Sequence, residues 1–421
     1  MHARTGFADE FDHVAEGGSA RVKDLHKSVC AVLLAEACNV GLEPLVDPSD
    51  PALTRSRLSW VQQNYIRDDT LARANARLVD AQGEIPIVSA WGAGEVASVD
   101  GIRFVVPVRT VNAGPNPKYF GRGRGITYLN YVSDRSTGFH GIVVPGTLRD
   151  SLFLLDGLLE HQTGFDPKEI TSDTAGYSDL MFGLFSLLGY QFSPRISDAG
   201  EARFWRIDRT ADYGPLDALS RRNTIKTETI RDNWEDILRV AGSLKLGTVK
   251  ASDLVRALHA GSKQSELAKA IAEVGRVAKS LFLLSYVDDE SYRRRVLVQL
   301  NRHEARHNLA REIFHGDRGQ VRKRYREGQE DQLSSLGLVL NAGALWNTLY
   351  LDQAVSHLRG SSTEGAEVRD DGLARVSPLM HAHIRVLGRY HFWLDESVAE
   401  GRFRPLRDPT KIDEFELPTQ F

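Results

Sequence analysis

The chain is nearly free of cysteine: Cys30 and Cys38 are the only two among its 421 residues. They have no CxxC spacing, which excludes a zinc knot or a disulfide framework and points to a reducing cytoplasm. Long apolar runs are also missing. The longest, Met181 to Phe192, is interrupted by Gly183, Ser186 and Gly189 and is too short to span a bilayer, so no membrane partner is expected. The N-terminal stretch MHARTGFADEFDHV mixes acids with bases and carries no apolar core, so it does not read as a secretory signal. Neither sign of charge dominates, with 53 Lys and Arg against 56 Asp and Glu and a net charge of −3. A uniformly basic domain would announce a polyanionic partner, and here that question falls to local groups of acids and bases. Apolar residues make up 42% and charged residues 26%, the balance of an ordinary globular chain long enough for two or three domains.

Helical periodicity runs through the first 80 or so residues. LHKSVCAVLLAEACNVGL, from Leu25 to Leu42, repeats apolar residues at three- and four-residue intervals and stops at a Gly-containing turn. After Pro48 to Pro51, RLSWVQQNYIRDDTLARANARLVDAQ predicts one or two more helices. From Gly94 the texture changes. VASVDGIRFVVPVRT predicts a strand or a bent strand pair, a Gly/Pro/Asn-rich connection runs from Asn112 to Gly125, and ITYLNYVSD and FHGIVVPG predict two more strands. TLRDSLFLLDGLLEHQTG reads as a helix capped by Thr147 and stopped at Gly164. KEITSD reads as a short strand ending at Asp173, LMFGLFSLLGY as a buried helix and QFSPRI as a fifth strand.

Antiparallel strands feeding a βαβ unit predict an α/β fold, an RNase H-like mixed sheet flanked by helices. From about Asp208 to about Phe314 the chain reads as almost wholly helical, an insertion that returns to the sheet by a long helix. LSSLGLVLNAGALWNTLYLDQAVSHL predicts a further apolar helix. The expected organisation is a helical N-terminal segment (1–85), a first part of the core (86–207), a helical insertion (208–298), a core return (299–375) and a helical or irregular tail (376–421).

An RNase H-like sheet that works on phosphodiesters needs acids converging from its first strand, the end of its fourth strand and a late helix. Hard Mg²⁺ prefers oxygen ligands, and two ions can activate an attacking hydroxyl and stabilise a leaving oxygen. Asp100, Asp173 and Glu304 occupy those places. Taken singly, each of the 56 acids is an ordinary solvated group, but Asp100 and Asp173 fall in apolar strand text, where an unpaired charge is costly to bury.

The surrounding text resembles a known family. ASVDGIRFVVPVRTVNAGPNPKYFGRGRGITYLNYVSD, GFHGIVVPGTLRDSLFLLDGLLE, ITSDTAGYSDLMFGLFSLLGYQFSPRISD and EDQLSSLGLVLNAGALWNTLY are similar to the C-terminal catalytic region of the Tn-three-type bacterial transposases, over about Tyr65 to Pro405. That family carries its acids in D-G-x-R-F, D-T-x-G and E-x-R-H segments, which fall here on Asp100, Asp173 and Glu304. The resemblance implies DDE chemistry with two Mg²⁺ ions, for which Mn²⁺ can substitute. It also implies 3′-hydroxyl release at transposon ends, strand transfer into double-stranded target DNA, and action as a homodimer in the bacterial cytoplasm, on the nucleoid when bound to DNA. Members are usually far longer, with N-terminal DNA-binding domains, and this chain begins close to the catalytic core. A truncated remnant that binds DNA or an intact transposase without cutting is therefore the first alternative. His303 stands where the family pattern has a small residue.

His303 also creates HEARH, which fits HExxH, with Glu327 as a candidate third ligand, and so opens a zinc metalloprotease alternative. Against it, the helix carries Arg302, Arg306 and Arg311, a setting for phosphates rather than zinc. On that reading His303 is an exposed helix residue, and His307, one turn beyond Glu304, is an active-site neighbour or DNA contact. The other candidate DNA contacts are Arg103, Lys118, Arg122, Arg124, Arg302 and Arg306. Lys118, Arg122 and Arg124 lie in the Gly-rich connection, where backbone can approach nucleic acid closely. Arg103, three residues after Asp100, points to the opposite sheet face if the strand is regular.

Overall fold

Alternation along one strand sets the layers of the fold. β1 (Val96–Val105) turns Ala97 and Val99 into one hydrophobic core, and Ile102 and Phe104, on the face shared by Ser98 and Asp100, into another. The chain is seen here in a computed structural model that describes residues 1–15, 22–146, 150–173, 177–196, 203–220, 222–259, 265–360, 368–388, 390 and 392. β2 (Gly114–Pro115), β3 (Arg124–Ser133), β4 (Gly138–Pro145), β5 (Glu169–Ser172) and β6 (Gln191–Phe192) complete the sheet. β3 pairs antiparallel with β1, with β4 and with the short β2. β5 lies parallel to β1 on its other side, and β6 parallel to β5. Read from β4, the order is β4-β3-β1-β5-β6, a mixed sheet with β1 at its centre.

Helices cover both faces. α1 (Leu25–Ala37), α2 (Arg55–Asn64) and α3 (Asp68–Gly83) precede the sheet. α1 ends where Asn39 and Gly41 take left-handed φ angles of 57° and 71°. Ser178 caps α4 (Asp179–Leu187) by accepting from the Met181 N–H at 3.3 Å. Between β6 and the return to the sheet lie α5 (Trp234–Lys245), α6 (Ala251–His259) and α7 (Glu266–Asp288). α7 crosses α4 where both carry glycine: a Cβ on Gly275 would sit 1.7 Å from the Asp179 carbonyl oxygen, and one on Gly183 would sit 2.2 Å from that of Ile271. α8 (Glu290–Ile313) starts at Asp289, whose carboxylate accepts the Ser291 N–H at 2.7 Å, and then lies across the Ser98–Phe104 face of β1. The 35-residue α9 (Arg326–Gly360) adds Leu333, Leu336 and Leu340 to the core under that face. It gives Leu338, Leu345 and Leu349 to a separate core with α1, α2 and α3.

Several expectations shift. The predicted helix over 147–164 is instead a 3₁₀ turn (Asp150–Phe153) followed by a single turn (Asp156–Glu160), and its proposed cap, Thr147, lies outside the described residues. The Tyr131 hydroxyl inserts between them, donating to the Phe153 carbonyl and accepting from the Gly157 N–H, and so takes over groups a continuous helix would pair internally. The strand predicted to reach Thr110 ends at Val105, ahead of Pro107, which has no N–H to donate to a ladder. Asp173 is exposed and lies one residue past the end of β5 rather than within an apolar strand. The connection from Asn112 to Gly125 is not one loop: it holds β2, a helical turn (Pro117–Phe120) and the first residues of β3. In the tail expected over 376–421 the described residues form no helix, the last helical turn being Asp370–Leu373 ahead of it, and residues from 393 onward lie outside the description. Both cysteines are free, and burial pushes the Cys30 thiol up to about 11. Among the described residues no helix is long and apolar enough to cross a membrane.

Candidate active site

One strand face and one helix turn build the site. Ser98 and Asp100, two apart on β1, point the same way, and α8 presents His303, Glu304 and His307 to them. The ligand atoms of Asp100, Glu304 and His307 lie within 4.8 Å of one another. Asp100 is half-buried in mid-strand opposite Asn130, and its Oδ1 accepts the Gly101 N–H at 2.7 Å. Burial pushes its carboxyl up to about 6, and the like charges of Asp173 and Glu304 add to the rise. The Gly101 N–H and the charge of Arg103 work against it. Glu304 is exposed, with Arg311 Nη1 at 3.2 Å from Oε1 and His307 Nδ1 at 3.5 Å from Oε2. Asp173 is close enough to Asp100 to act on its charge but is outside the tight three-residue group.

The two histidines of HEARH have different surroundings. His303 is 1% exposed and shares a 2.8 Å hydrogen bond between its Nδ1 and the Ser98 hydroxyl, with Gln299 Nε2 donating to the same hydroxyl at 3.1 Å. This corrects the expectation of an exposed His303. His307 is equally buried, 4.7 Å from His303 between ring centroids and edge-on to it. Among the described residues its Nε2 has no hydrogen-bond partner. Burial pushes His303 well below its ordinary range and His307 down to about 4, so both rings are neutral at pH 7. The acid cluster includes His307 and omits both His303 and Glu327, so HExxH does not set up a zincin-like ligand set.

The basic residues divide into two groups. Lys118, Arg122 and Arg124 are exposed, and Arg124 Nη1 bonds the Thr110 carbonyl at 3.1 Å. Arg103 stacks its guanidinium 3.7 Å from the centre of the Tyr119 ring and bonds the Gly101 carbonyl at 3.0 Å, tying this basic surface to the strand segment that carries Asp100. Arg302 and Arg306 face inward. Arg302 Nη2 bonds the Trp91 carbonyl at 2.7 Å. Arg306 is 1% exposed and bonds the Gly337 carbonyl at 3.1 Å, and burial holds its guanidinium down to about 10. Gly138 makes its room, since a Cβ there would meet Arg306 Nη2 at 2.4 Å. So enclosed, Arg306 anchors α8 rather than offering a charge to DNA at the surface. Sequence reasoning missed Ser98 and Gln299, although Ser98 precedes Asp100 by one strand period and shares its face.

An acid from the central strand meeting a glutamate from a distant helix is what the sequence resemblance requires, and comparison with known proteins decides the family. Residues 1–390 match the family described as "Tn3 transposase DDE domain". The chain belongs to that family. It is 61% identical over 408 residues to the transposase for transposon gamma-delta of Escherichia coli, a match covering 96% of this chain and 40% of that protein. It is 48% identical over 410 residues to the transposase for transposon Tn4556 of Streptomyces fradiae, covering 97% of this chain and 45% of that protein. The transposase for transposon Tn501 of Pseudomonas aeruginosa is 38% identical over 408 residues. This Tn3 transposase DDE domain therefore spans less than half the length of these relatives. The carboxylates brought together fit a hard divalent cation, and the exposed bases of the 118–124 segment suit phosphates.

Proposed function

We propose that this domain cuts DNA strands at transposon ends and transfers the resulting 3′-hydroxyls into target DNA. The observation that carries the reading is the meeting of Asp100, from the central strand, with Glu304, from the helix that returns after the insertion. The strand order β4-β3-β1-β5-β6, with β1 antiparallel to β3 and parallel to β5, supports an RNase H-like core. On this reading the core comprises 86–207 and 299–375, interrupted by the helical insertion 208–298.

Asp100, Asp173 and Glu304 would hold two Mg²⁺ ions, which Mn²⁺ can replace. When bound, such ions activate the attacking hydroxyl and stabilise the leaving oxygen. The protein contributes placement. The Gly101 N–H fixes one Asp100 oxygen, and Arg311 and His307 flank the Glu304 carboxylate. Lys118, Arg122 and Arg124 would take phosphates of a bound duplex without reading its sequence. Arg103 would hold the Tyr119 segment of that surface in place. We place the domain in the bacterial cytoplasm, on the nucleoid when it is bound to DNA, acting as a homodimer on paired ends.

The test is incubation with Mg²⁺ or Mn²⁺ and labelled DNA bearing a pre-cut transposon end, beside Asp173→Ala. Cleavage and strand-transfer products that depend on metal and vanish in the variant are expected. A folded chain that binds DNA and yields no product under either metal would overturn the catalytic reading.

A further inference from the structure

His307 is not used by the reading above, yet it is the third member of the tightest group at the site. Its ring is 2% exposed, its Nδ1 stands 3.5 Å from Glu304, longer than a good hydrogen bond, and its Nε2 has no hydrogen-bond partner among the described residues. A buried imidazole held only by that long contact to Glu304 is costly to leave so, and two further residues pack behind it. Ser98 holds His303 by its Nδ1, and His303 stands edge-on against the His307 ring. The ligand atoms of Asp100, Glu304 and His307 span no more than 4.8 Å. An ion with bonds of about 2.1 Å sets neighbouring ligands about 3 Å apart and opposite ones about 4.2 Å apart, so small side-chain adjustments close this group on one ion.

We propose that His307 is itself a ligand of the divalent ion held by Asp100 and Glu304, making that position a two-carboxylate, one-imidazole site. The proposal rests on the metal-dependent reading of the same acids. Asp173, outside the tight group, then serves the second ion. Imidazole binds softer divalent ions better than it binds Mg²⁺, so this position favours Mn²⁺ over Mg²⁺ more than an all-carboxylate site would. His303 shares the motif but not the role, because its Nδ1 is committed to Ser98 and it lies outside the group formed by Asp100, Glu304 and His307.

Pulsed electron paramagnetic resonance of the full chain loaded with Mn²⁺ reads the ligand directly, with Mn²⁺ and Mg²⁺ affinities measured alongside by calorimetry. The wild-type spectrum should carry the coupling of a directly bound nitrogen. It should persist in His303→Gln and disappear in His307→Gln, where Mn²⁺ binds about tenfold or more weakly while Mg²⁺ affinity changes little. If His307→Gln fails to fold, a coupling that persists in His303→Gln and is lost with the ion in Asp100→Asn still carries the assignment. Mn²⁺ bound without nitrogen coupling, and lost in Asp100→Asn, would overturn the His307 assignment and leave the carboxylate site standing. No Mn²⁺ bound at all would overturn both.

Discussion

Replacing Asp100 by Asn should make the metal-free domain more stable while removing its ion binding. The carboxyl is held back from 3.8 to about 6 by burial and by the charges of Asp173 and Glu304, which costs the ionised fold about 3 kcal/mol. Water around the half-buried group screens part of this, leaving about 1–3 kcal/mol. Asn keeps the oxygen that accepts the Gly101 N–H and discards the charge. The unfolded chain releases the proton near 3.8 and the fold near 6, so the fold holds more protons in that window. Wild-type stability therefore falls as pH rises through it, and the advantage of Asp100→Asn grows from about 0.5 kcal/mol at pH 4 to its full value above pH 7. In a chain this long each kcal/mol moves Tm by about 1 °C, so urea titrations followed by circular dichroism, in EDTA and at several pH values, are the better assay. Adding Mg²⁺ at about 100 times its Kd should stabilise the wild type by about 2.7 kcal/mol and the variant hardly at all, cancelling the variant's advantage at pH 8 or reversing the order. A variant no more stable than wild type at pH 8 in EDTA, or an advantage that does not shrink by pH 4, would refute the argument that this aspartate is strained by its surroundings.

Other outcomes follow from the same geometry. Gly275→Ala places a methyl against the Asp179 carbonyl and should force α4 and α7 apart, lowering stability by about 2–3 kcal/mol in denaturant titration. Burial, with the charges of Asp68, Glu36 and Glu330 adding to it, holds Asp331 up to about 7. Because its folded value lies above its unfolded one, wild-type stability falls from about pH 4 to about pH 7, and an Asp331→Asn gain that rises across that window and then levels off is the expected signature. If Lys118 and Arg122 each neutralise a phosphate, the double alanine variant should lower the slope of log affinity against log salt by about 2, seen in fluorescence anisotropy with duplexes of unrelated sequence. Elemental analysis should find the purified chain with substoichiometric zinc. One tightly held zinc per chain, lost in both His303→Ala and His307→Ala, would restore the HEARH metalloprotease alternative.

What the sequence made legible, and what it hid, follows from how local each cause is. Asp100 stands out because it is the one acid in the largely apolar VASVDGIRFVV, and Glu304 because the E-x-R-H segment resembles a known pattern. The strands were legible because runs rich in Val, Ile and Phe are a property of neighbouring residues. The helix expected over 147–164 fails for a non-local reason: its periodicity is real, but the Tyr131 hydroxyl, brought in from β3, competes for the Phe153 carbonyl and the Gly157 N–H. The two histidines show the same limit more sharply. Four residues apart on one helix, they look equivalent in HEARH, and only the strand beneath separates them, since Ser98 meets His303 while Asp100 lies with Glu304 and His307. Arg306 completes the case. An arginine in a charged helix reads as a solvent-facing group, and it becomes an interior one only because Gly138 leaves space for its guanidinium and the Gly337 carbonyl accepts its Nη2. Neither residue is near it in sequence. A charge pattern along a helix therefore says where cations are, and the glycines of other elements decide which of them can be enclosed.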